Sequence, residues 1–263
     1  MKKYFVVSDV HGFYRELRNA LEKAGFDEKN PNHIFVSCGD LMDRGPSPLN
    51  CLVFVNSLPN DRKILIRGNH EDLIEECISR KDFLSYDYHN GTAMTIADLS
   101  YSFWVSNDNI KDMFNEVKRN PEYKKYMSSL VDYAEVGNYV FVHGWIPCDR
   151  DDPNPYHARN INYTFNENWR NGDWDTARWI NGMDAWHQGV KIEGKTIVCG
   201  HWHSSYGNSK FHNDGMEFPN LRSTNPEHRY ANFNPFIDDG IIALDACTVE
   251  SHQVNCYTFE VEE

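Results

Sequence analysis

Short apolar runs that alternate with helix-like segments constrain the fold of this chain more than any other feature. The runs KYFVVSD, HIFVSCGD and RKILIRGN are rich in β-branched and aromatic residues, and a segment with apolar residues at helical spacing follows each of them. Asp9, Asp40 and Asn69 end these runs at about the spacing of one βαβ unit. The first 80 residues therefore predict strands joined by helices, with polar side chains where the strands end.

The remainder of the chain predicts further strands separated by longer segments. NYVFVHG, KTIVCGH, GIIALDA and VNCYTFEVE are strand-like, and the Gly-Asn pair at 137–138 indicates a hairpin between DYAEVG and NYVFVHG. Residues 86–130 are expected to be helical, residues 145–192 to form a Trp-rich cap or lid, and residues 204–239 to be irregular. We expect a single domain, residues 1–263, in which the segments 86–130 and 145–192 are cap-like.

The net charge and the cysteine content argue against several classes of binding partner and cellular compartment. The net charge is -13, so the basic surface that a nucleic-acid backbone needs is not expected. No segment approaches the length of a membrane span, and the N-terminal apolar run is too short for a signal peptide. Seven cysteines without framework spacing favour reduced thiols. We therefore expect a cytoplasmic protein with no nucleic-acid or membrane partner, while its oligomeric state stays open.

Five strand-like runs deliver polar side chains at their C-terminal ends, which is where ligand sites gather in open α/β folds. The residues are Asp9, His11, Asp40, Asp43, Arg44, Asn69, His70, His143, His201 and His203. Oxygen and imidazole donors without thiolates suit Mn, Fe or Zn better than a structural zinc site or a calcium cage. The donors outnumber the needs of one ion. Two ions that share a carboxylate fit the count, and such pairs clamp a phosphoryl group and activate a water.

The motifs SDVHG, GDLMDRG, GNHE, HG and GHWH, in this order, resemble those of the calcineurin-like metallophosphoesterases. The full GDLMDRG followed by GNHE is similar to the phosphoprotein phosphatase branch, which includes bacterial and phage serine/threonine phosphatases and symmetrical diadenosine tetraphosphate hydrolases. The resemblance spans residues 9–203. It implies an α/β fold, a four-layer α/β/β/α sandwich of two mixed sheets. It also implies a hydrolase with two divalent metal ions, of which Mn is favoured and Fe or Zn are alternatives.

The same resemblance implies a role for each metal-site residue. The first metal would be bound by Asp9 and His11, with Asp40 as the bridge to the second metal. The second metal would be completed by Asn69, His143 and His201.

Three further residues would act on the substrate. Arg44 would hold phosphate oxygens, which its planar fork suits. His70 would be the general acid that protonates the leaving oxygen, and Asp43 would orient His70. By contrast, we expect Glu71 to be an acid at a helix N-terminus rather than a catalytic group.

The chain departs from the family pattern at several positions. Ser8 replaces a glycine, which should leave Asp9 in place, and Trp145 replaces another glycine, which predicts a narrower mouth of the site. Arg150 and Arg159 are candidates for a second phosphate-binding arginine.

His203 is open between two interpretations. Many metallophosphoesterases carry GHxH, and there the second histidine would reach the first metal, beside the Asp9, His11 and Asp40 ligands. The alternative for His203 is an imidazole behind the metal ligands, near bound phosphate.

The substrate class also stays open at this stage. A serine/threonine protein phosphatase acting on phosphate monoesters is the main hypothesis, with a phosphorylated protein or a small phosphoester as the partner. A diadenosine-polyphosphate hydrolase or a phosphodiesterase is the alternative. A metal-binding scaffold without turnover is disfavoured, because it would have no need of His70 paired with Asp43.

Overall fold

The computed structural model describes residues 1–101, 110–152, 154 and 161–262, and its first sheet has four strands. The strands are β1 Lys2–Val7, β2 His33–Ser37, β3 Lys63–Leu65 and β11 Tyr257–Val261. Their order is β11-β1-β2-β3, in which β1, β2 and β3 are parallel and β11 pairs with β1 in the antiparallel sense. Phe5, Val6 and Val7 are all buried, as expected for a strand covered on both faces.

The second sheet has five strands and is also mixed. They are β4 Ala134–Val136, β5 Tyr139–Phe141, β8 Thr196–Cys199, β9 Phe236–Asp238 and β10 Ile241–Ala243. The order is β4-β5-β8-β10-β9, with a parallel centre and an antiparallel strand at each edge. A separate two-stranded ribbon joins β6 Asp149–Arg150 to β7 Tyr163–Thr164.

Helices cover the outer faces of both sheets. Within the described ranges they are α1 Tyr14–Ala24, α2 Pro48–Ser57, α3 Asn69–Arg80, α4 Ser85–His89, α5 Thr92–Leu99, α6 Ile110–Arg119, α7 Pro121–Met127, α8 Trp174–Ala177, α9 Gly182–His187, α10 Ser204–His212 and α11 Thr248–Ser251. Short 3₁₀ turns lie at Asn60–Arg62, Trp169–Asn171 and Pro226–Arg229. Leu17 and Leu21 bury one face of α1, and Gly25 ends that helix in the left-handed conformation.

Three hydrophobic clusters show the layering. The inner faces of the two sheets meet in one cluster that includes Val36, Val198 and Ile242. Each outer face carries a further cluster, one beneath α1 to α7 and the other beneath the Trp-rich segment. The predicted four-layer α/β/β/α sandwich of two mixed sheets is confirmed, as is the hairpin at 137–138, where Gly137 has a φ of 55°.

The expectation that residues 204–239 are irregular is wrong in part. The helix α10 and the edge strand β9 both lie in this segment. Helix propensity does not predict α10, because Gly207 lies in its middle and glycine is a poor helix former. Its packing explains the glycine, because a Cβ there would lie 2.4 Å from Met183 Sδ and 2.8 Å from the ring of Phe236.

The two cap-like segments pack as outer layers over their sheets. Phe114 and Tyr126 of residues 86–130 are buried in the same cluster as α1 to α3. The expected narrowing by Trp145 is wrong: its side chain is fully buried and its Nε1 donates to the backbone oxygen of Val190. The single-domain division stays a prediction. Within the described part of the chain, none of the helices combines the length and apolar composition that a bilayer crossing requires.

Candidate dinuclear metal centre

The site lies where the parallel strands of both sheets end. The loops after these strands turn sharply, and several polar residues there have left-handed backbone conformations: Asp9, His11, Asp40, Asp43, Arg44 and His201. Asp and His accept this conformation more readily than most residues. Backbone bonds from Asp9 N to Gly39 O, 3.2 Å, and from His11 N to Asp40 O, 2.9 Å, hold neighbouring loops together. Strand ends from residues 9 to 201 are thereby gathered at one edge.

One group of ligand atoms combines both sheets. Asp40, His143 and His201 each offer an atom within 4.8 Å of the others. Asn69 Oδ1 lies beside this group, 2.7 Å from His143 Nε2 and 3.0 Å from His201 Nδ1. The opposite nitrogen of His143, Nδ1, donates to the backbone oxygen of Cys38 at 2.8 Å, which orients Nε2 toward the other ligands. These four side chains match the predicted second-metal set.

A second group lies on the other side of Asp40. His11, Asp40 and His70 offer atoms within 4.8 Å of one another, and His11 Nε2 is 4.0 Å from Asp9 Oδ1. His11 Nδ1 donates to Met42 O at 3.0 Å, which again leaves Nε2 toward the carboxylates. Asp40 belongs to both groups, as a bridging carboxylate must. Oxygen and imidazole donors in two groups with one shared member fit two divalent ions.

Burial and mutual attraction set the charges of these groups. Burial would raise the pKa of Asp40, but His143 and His70 hold it well below its usual range. Burial would lower the pKa of His143, but Asp40 raises it to about 10. Burial lowers the pKa of His201 to about 3, so this imidazole is neutral. Burial and the neighbouring Asp245 raise the pKa of Asp9. The site therefore concentrates buried carboxylates that a cation would stabilise.

His70, Asp43 and Arg44, the residues expected to act on the substrate, are in direct contact. His70 Nδ1 lies 2.8 Å from Asp43 Oδ2, and Arg44 Nη2 donates to His70 Nε2 at 3.1 Å. Thr92 Oγ1 donates to the same oxygen of Asp43 at 2.7 Å, and Thr95 Oγ1 accepts from Asp43 N at 3.1 Å. The buried Asp43 carboxylate therefore holds His70 in one orientation, with Nε2 facing the metal ligands.

The contacts of Glu71 show a structural role. It is fully buried, and its carboxylate accepts hydrogen bonds from the backbone nitrogens of Asp40, Leu41 and Gly68. The hydroxyl of Tyr126 donates to it as well, at 2.9 Å. The carboxylate thus ties the Asp40 loop to the N-terminus of α3.

Sequence reasoning missed two side chains at the first-metal side. Ser8 Oγ donates to Asp9 Oδ2 at 2.5 Å, so the serine fixes the carboxylate that it precedes. Asp245 follows β10, is buried, and is the strongest source of charge repulsion on Asp9. Its position after GIIAL, at the end of a parallel strand, follows the same rule as the other strand ends and could have been noticed.

Two of the remaining candidates, His203 and Arg150, make contacts outside both ligand groups. His203 Nε2 is 3.0 Å from Glu217 Oε1, and His203 is outside both ligand groups. Arg150 Nη2 donates to Asn154 O at 3.0 Å. Arg159 lies outside the described residues.

Comparison with known proteins agrees with this geometry. The chain is similar to symmetrical bis(5'-nucleosyl)-tetraphosphatases. It is 41% identical to that of Buchnera aphidicola over 71 residues, 27% of this chain and 24% of the relative. It is 45% identical to that of Psychromonas ingrahamii over 67 residues, 26% of this chain and 23% of the relative. These matches thus span about a quarter of the length of the relatives.

Two further comparisons cover most of the chain, one with a solved structure and one with a family model. A solved structure described as a candidate diadenosine tetraphosphatase superposes with a TM-score of 0.50 at 16% identity, over 98% of this chain and 89% of that chain. The family model described as calcineurin-like phosphoesterase matches residues 2–217, which is most of the chain. The chain therefore belongs to the calcineurin-like phosphoesterase family.

Proposed function

We propose that this protein hydrolyses phosphate monoesters, and that its substrates are phosphoserine or phosphothreonine side chains of proteins. The observation that carries the proposal is the His70–Asp43 pair, 2.8 Å apart, at the edge where the metal ligands converge. A protein that only bound metal would have no use for a carboxylate-oriented imidazole facing the ligands.

The metal ligands in this proposal come from both sheets. The first metal would be held by Asp9, His11 and Asp40, and the second by Asp40, Asn69, His143 and His201. Divalent ions bound there supply Lewis acidity and lower the pKa of a bound water. We propose Mn²⁺ as the ion because the donors are carboxylates, an amide oxygen and imidazoles, with Fe and Zn as alternatives.

Arg44 and His70 divide the work on the substrate. The exposed Arg44 guanidinium can clamp two phosphate oxygens. Once Arg44 turns to the phosphate, His70 Nε2 no longer accepts from it and can carry the proton that the leaving oxygen requires. The two groups are 3.1 Å apart, so a phosphate held by one is within reach of the other. Asp43 Oδ2 accepts from His70 Nδ1 and fixes the orientation of the ring.

The groove beside the second-metal ligands supports a protein substrate. It measures about 700 Å³, and Trp179, whose ring lies 5.8 Å from that of His201, forms part of its wall. Its acidic side chains are Asp72, Glu75, Glu76, Asp132 and Asp175. The two arginines of the groove already pair with acids, Arg67 with two of them and Arg178 with three. Five carboxylates against two arginines leave the wall with net negative charge, which attracts a basic peptide and repels a polyphosphate chain.

A substrate panel tests the proposal. The protein purified with Mn²⁺ is assayed on p-nitrophenyl phosphate, bis-p-nitrophenyl phosphate, diadenosine tetraphosphate and two phosphopeptides that differ only in basic or acidic flanks. We expect the basic phosphopeptide to give the highest kcat/KM, and charge reversal by Glu76→Lys to reduce that preference. Activity on none of them with metal bound would overturn the enzyme assignment. Activity on the bis ester alone would replace it by a phosphodiesterase.

Symmetrical hydrolysis of diadenosine tetraphosphate is the second candidate. It is favoured by an identity of 41% to 45% to bis(5'-nucleosyl)-tetraphosphatases over 71 and 67 residues. A kcat/KM for diadenosine tetraphosphate above that for either phosphopeptide would establish this candidate and overturn the protein-phosphatase assignment.

A further inference from the structure

His203 differs from His11 and His143 in which ring nitrogen makes its hydrogen bond to a neighbouring oxygen. His11 and His143 both use Nδ1 to donate to a backbone oxygen, so Nε2 is directed at the ligands. His203 instead has Nε2 at 3.0 Å from the carboxylate oxygen Oε1 of Glu217. A carboxylate only accepts, so Nε2 is the protonated nitrogen in this pair. Nδ1 is then the nitrogen that a neutral His203 has left for a metal ion.

Glu217 is itself held against the start of α10. Ser205 Oγ donates to the backbone oxygen of Glu217 at 2.7 Å. The ring of the next residue, Phe218, packs on the His203 ring with centroids 4.6 Å apart. Trp202 stacks against His203 with centroids 5.8 Å apart. The imidazole is therefore fixed by ring contacts as well as by the carboxylate.

The surroundings of His203 include the carboxylates of the first-metal side. Asp245 is buried, and His203 is the strongest favourable charge on its carboxyl group, against burial that raises its pKa. The backbone links the two strand ends, because Ser204 N donates to Asp245 O at 2.7 Å. Asp245 is in turn the like charge that acts most strongly on Asp9. His203 is thus bonded to Glu217 and attracts Asp245, the acid that repels Asp9.

We propose that Glu217 is a positioning residue that holds His203 by Nε2 and directs Nδ1 to the first metal. The inference rests on the metal centre of the proposed function. A carboxylate that accepts from the far nitrogen of a metal-binding imidazole fixes its tautomer and raises its basicity, and losing such a partner typically weakens metal binding about 10-fold to 100-fold. Glu217 belongs to none of the five motifs, so the sequence gives no sign of this role.

The test is Mn²⁺ titration of the metal-free protein by calorimetry, with variants His203→Ala, Glu217→Ala, Glu217→Gln and the double variant. We expect wild type to bind two ions, and His203→Ala and Glu217→Ala each to weaken one of them about 10-fold to 100-fold. Glu217→Gln retains an acceptor oxygen and should lose less. In the His203→Ala background, Glu217→Ala should cost no further affinity. Glu227→Gln, in the same segment and exposed, is the matched control and should bind as wild type.

Two results would overturn the proposal. One is two equally tight ions in folded Glu217→Ala. The other is an equal loss of affinity from Glu217→Ala with or without His203, which would mean that the carboxylate acts by another route. The readout of this test is metal binding, so its result is independent of the substrate panel. If no substrate were hydrolysed but the variants lost Mn²⁺ affinity as expected, the proposed function would be overturned and this inference would stand.

Discussion

The two sheets contribute different chemistry to the metal centre. The first sheet delivers all the proposed oxygen ligands, Asp9, Asp40 and Asn69, together with the imidazole of His11. The proposed ligands from the second sheet, His143 and His201, are both imidazoles. Neither sheet carries a complete set for two ions. Contact between the sets is direct, with His143 Nε2 at 3.3 Å from Asp40 Oδ1 and 2.7 Å from Asn69 Oδ1. The metal centre therefore depends on how the sheets dock rather than on either sheet alone.

The largest expected effect comes from the carboxylate that belongs to both groups. Asp40→Asn removes the shared charge, so we expect loss of both ions and a fall in kcat of at least about 10³-fold, since metal ions contribute several kcal/mol to such reactions. Metal content by mass spectrometry and the phosphopeptide assay check this. The exposed Asp61→Asn is the control and should change neither. Retention of one tight ion would show that one sheet suffices for a site.

His70 lies in the first turn of α3, after a strand of the first sheet, but should act on substrate, so its loss separates catalysis from metal binding. His70→Asn should lower kcat for a phosphopeptide about 10²-fold to 10⁴-fold, because the alkoxide leaving group needs a proton. For p-nitrophenyl phosphate, whose leaving group is a weaker base, the loss should be much smaller. Metal content should stay at the wild-type value. Equal losses on both substrates would contradict the acid role.

The docking of the two sheets can be perturbed at a single glycine. Gly39 has a φ of 90°, and a Cβ there would lie 2.5 Å from His143 Nδ1 on the other sheet. Gly39→Ala should therefore lower the free energy of unfolding by about 2–4 kcal/mol, the sum of left-handed strain and overpacking. Gly189 has a φ of 89° with nothing within 4 Å of such a Cβ, so Gly189→Ala should cost only about 1–2 kcal/mol. Urea unfolding measures both, and equal losses would mean that the cross-sheet contact is unimportant.

Features that depend on local sequence could be predicted. Asp9, Asp40 and Asn69 end apolar runs beside glycines, and parallel strands bring such ends to one edge, so their convergence followed from the pattern. The hairpin at 137–138 is equally local. These features need only neighbours in the chain, and the structure gathers them as expected.

Contacts between distant segments could not be predicted. Thr92 donates a hydrogen bond to Asp43, which lies 49 residues away in the sequence. No sequence feature near Thr92 predicts this contact. Trp145 was expected at the mouth, but its indole donates to Val190 O, a backbone atom whose position depends on the whole outer layer. Gly207 suppressed the helix signal of α10, although tertiary packing requires a glycine there. In each case the deciding partner is set by the tertiary fold.

The smallest expected effect is a pH dependence that arises between the sheets. Asp40 raises the pKa of His143 to about 10, against burial, so the metal-free site holds this proton at neutral pH. A metal ion must displace it, and Mn²⁺ affinity should therefore increase by up to about tenfold per pH unit between about pH 6.5 and 9. Calorimetry at one pH in two buffers of different ionisation enthalpy should detect proton release on binding. Binding without proton release would mean that His143 is already neutral.

The stability of the metal-free protein should have the opposite pH dependence. The folded-state pKa of His143 lies above its reference value of 6.5, so the stabilisation it gains from Asp40 is complete below about pH 6.5 and is lost as pH rises toward 10. Unfolding of metal-free protein should therefore become easier over the range in which metal binding becomes tighter. In His143→Gln both trends should be reduced together, since one proton on one cross-sheet contact is their common cause. If only one of the two trends changed in this variant, the proton would have to reside on a different group, such as Asp9, whose pKa burial and Asp245 also raise.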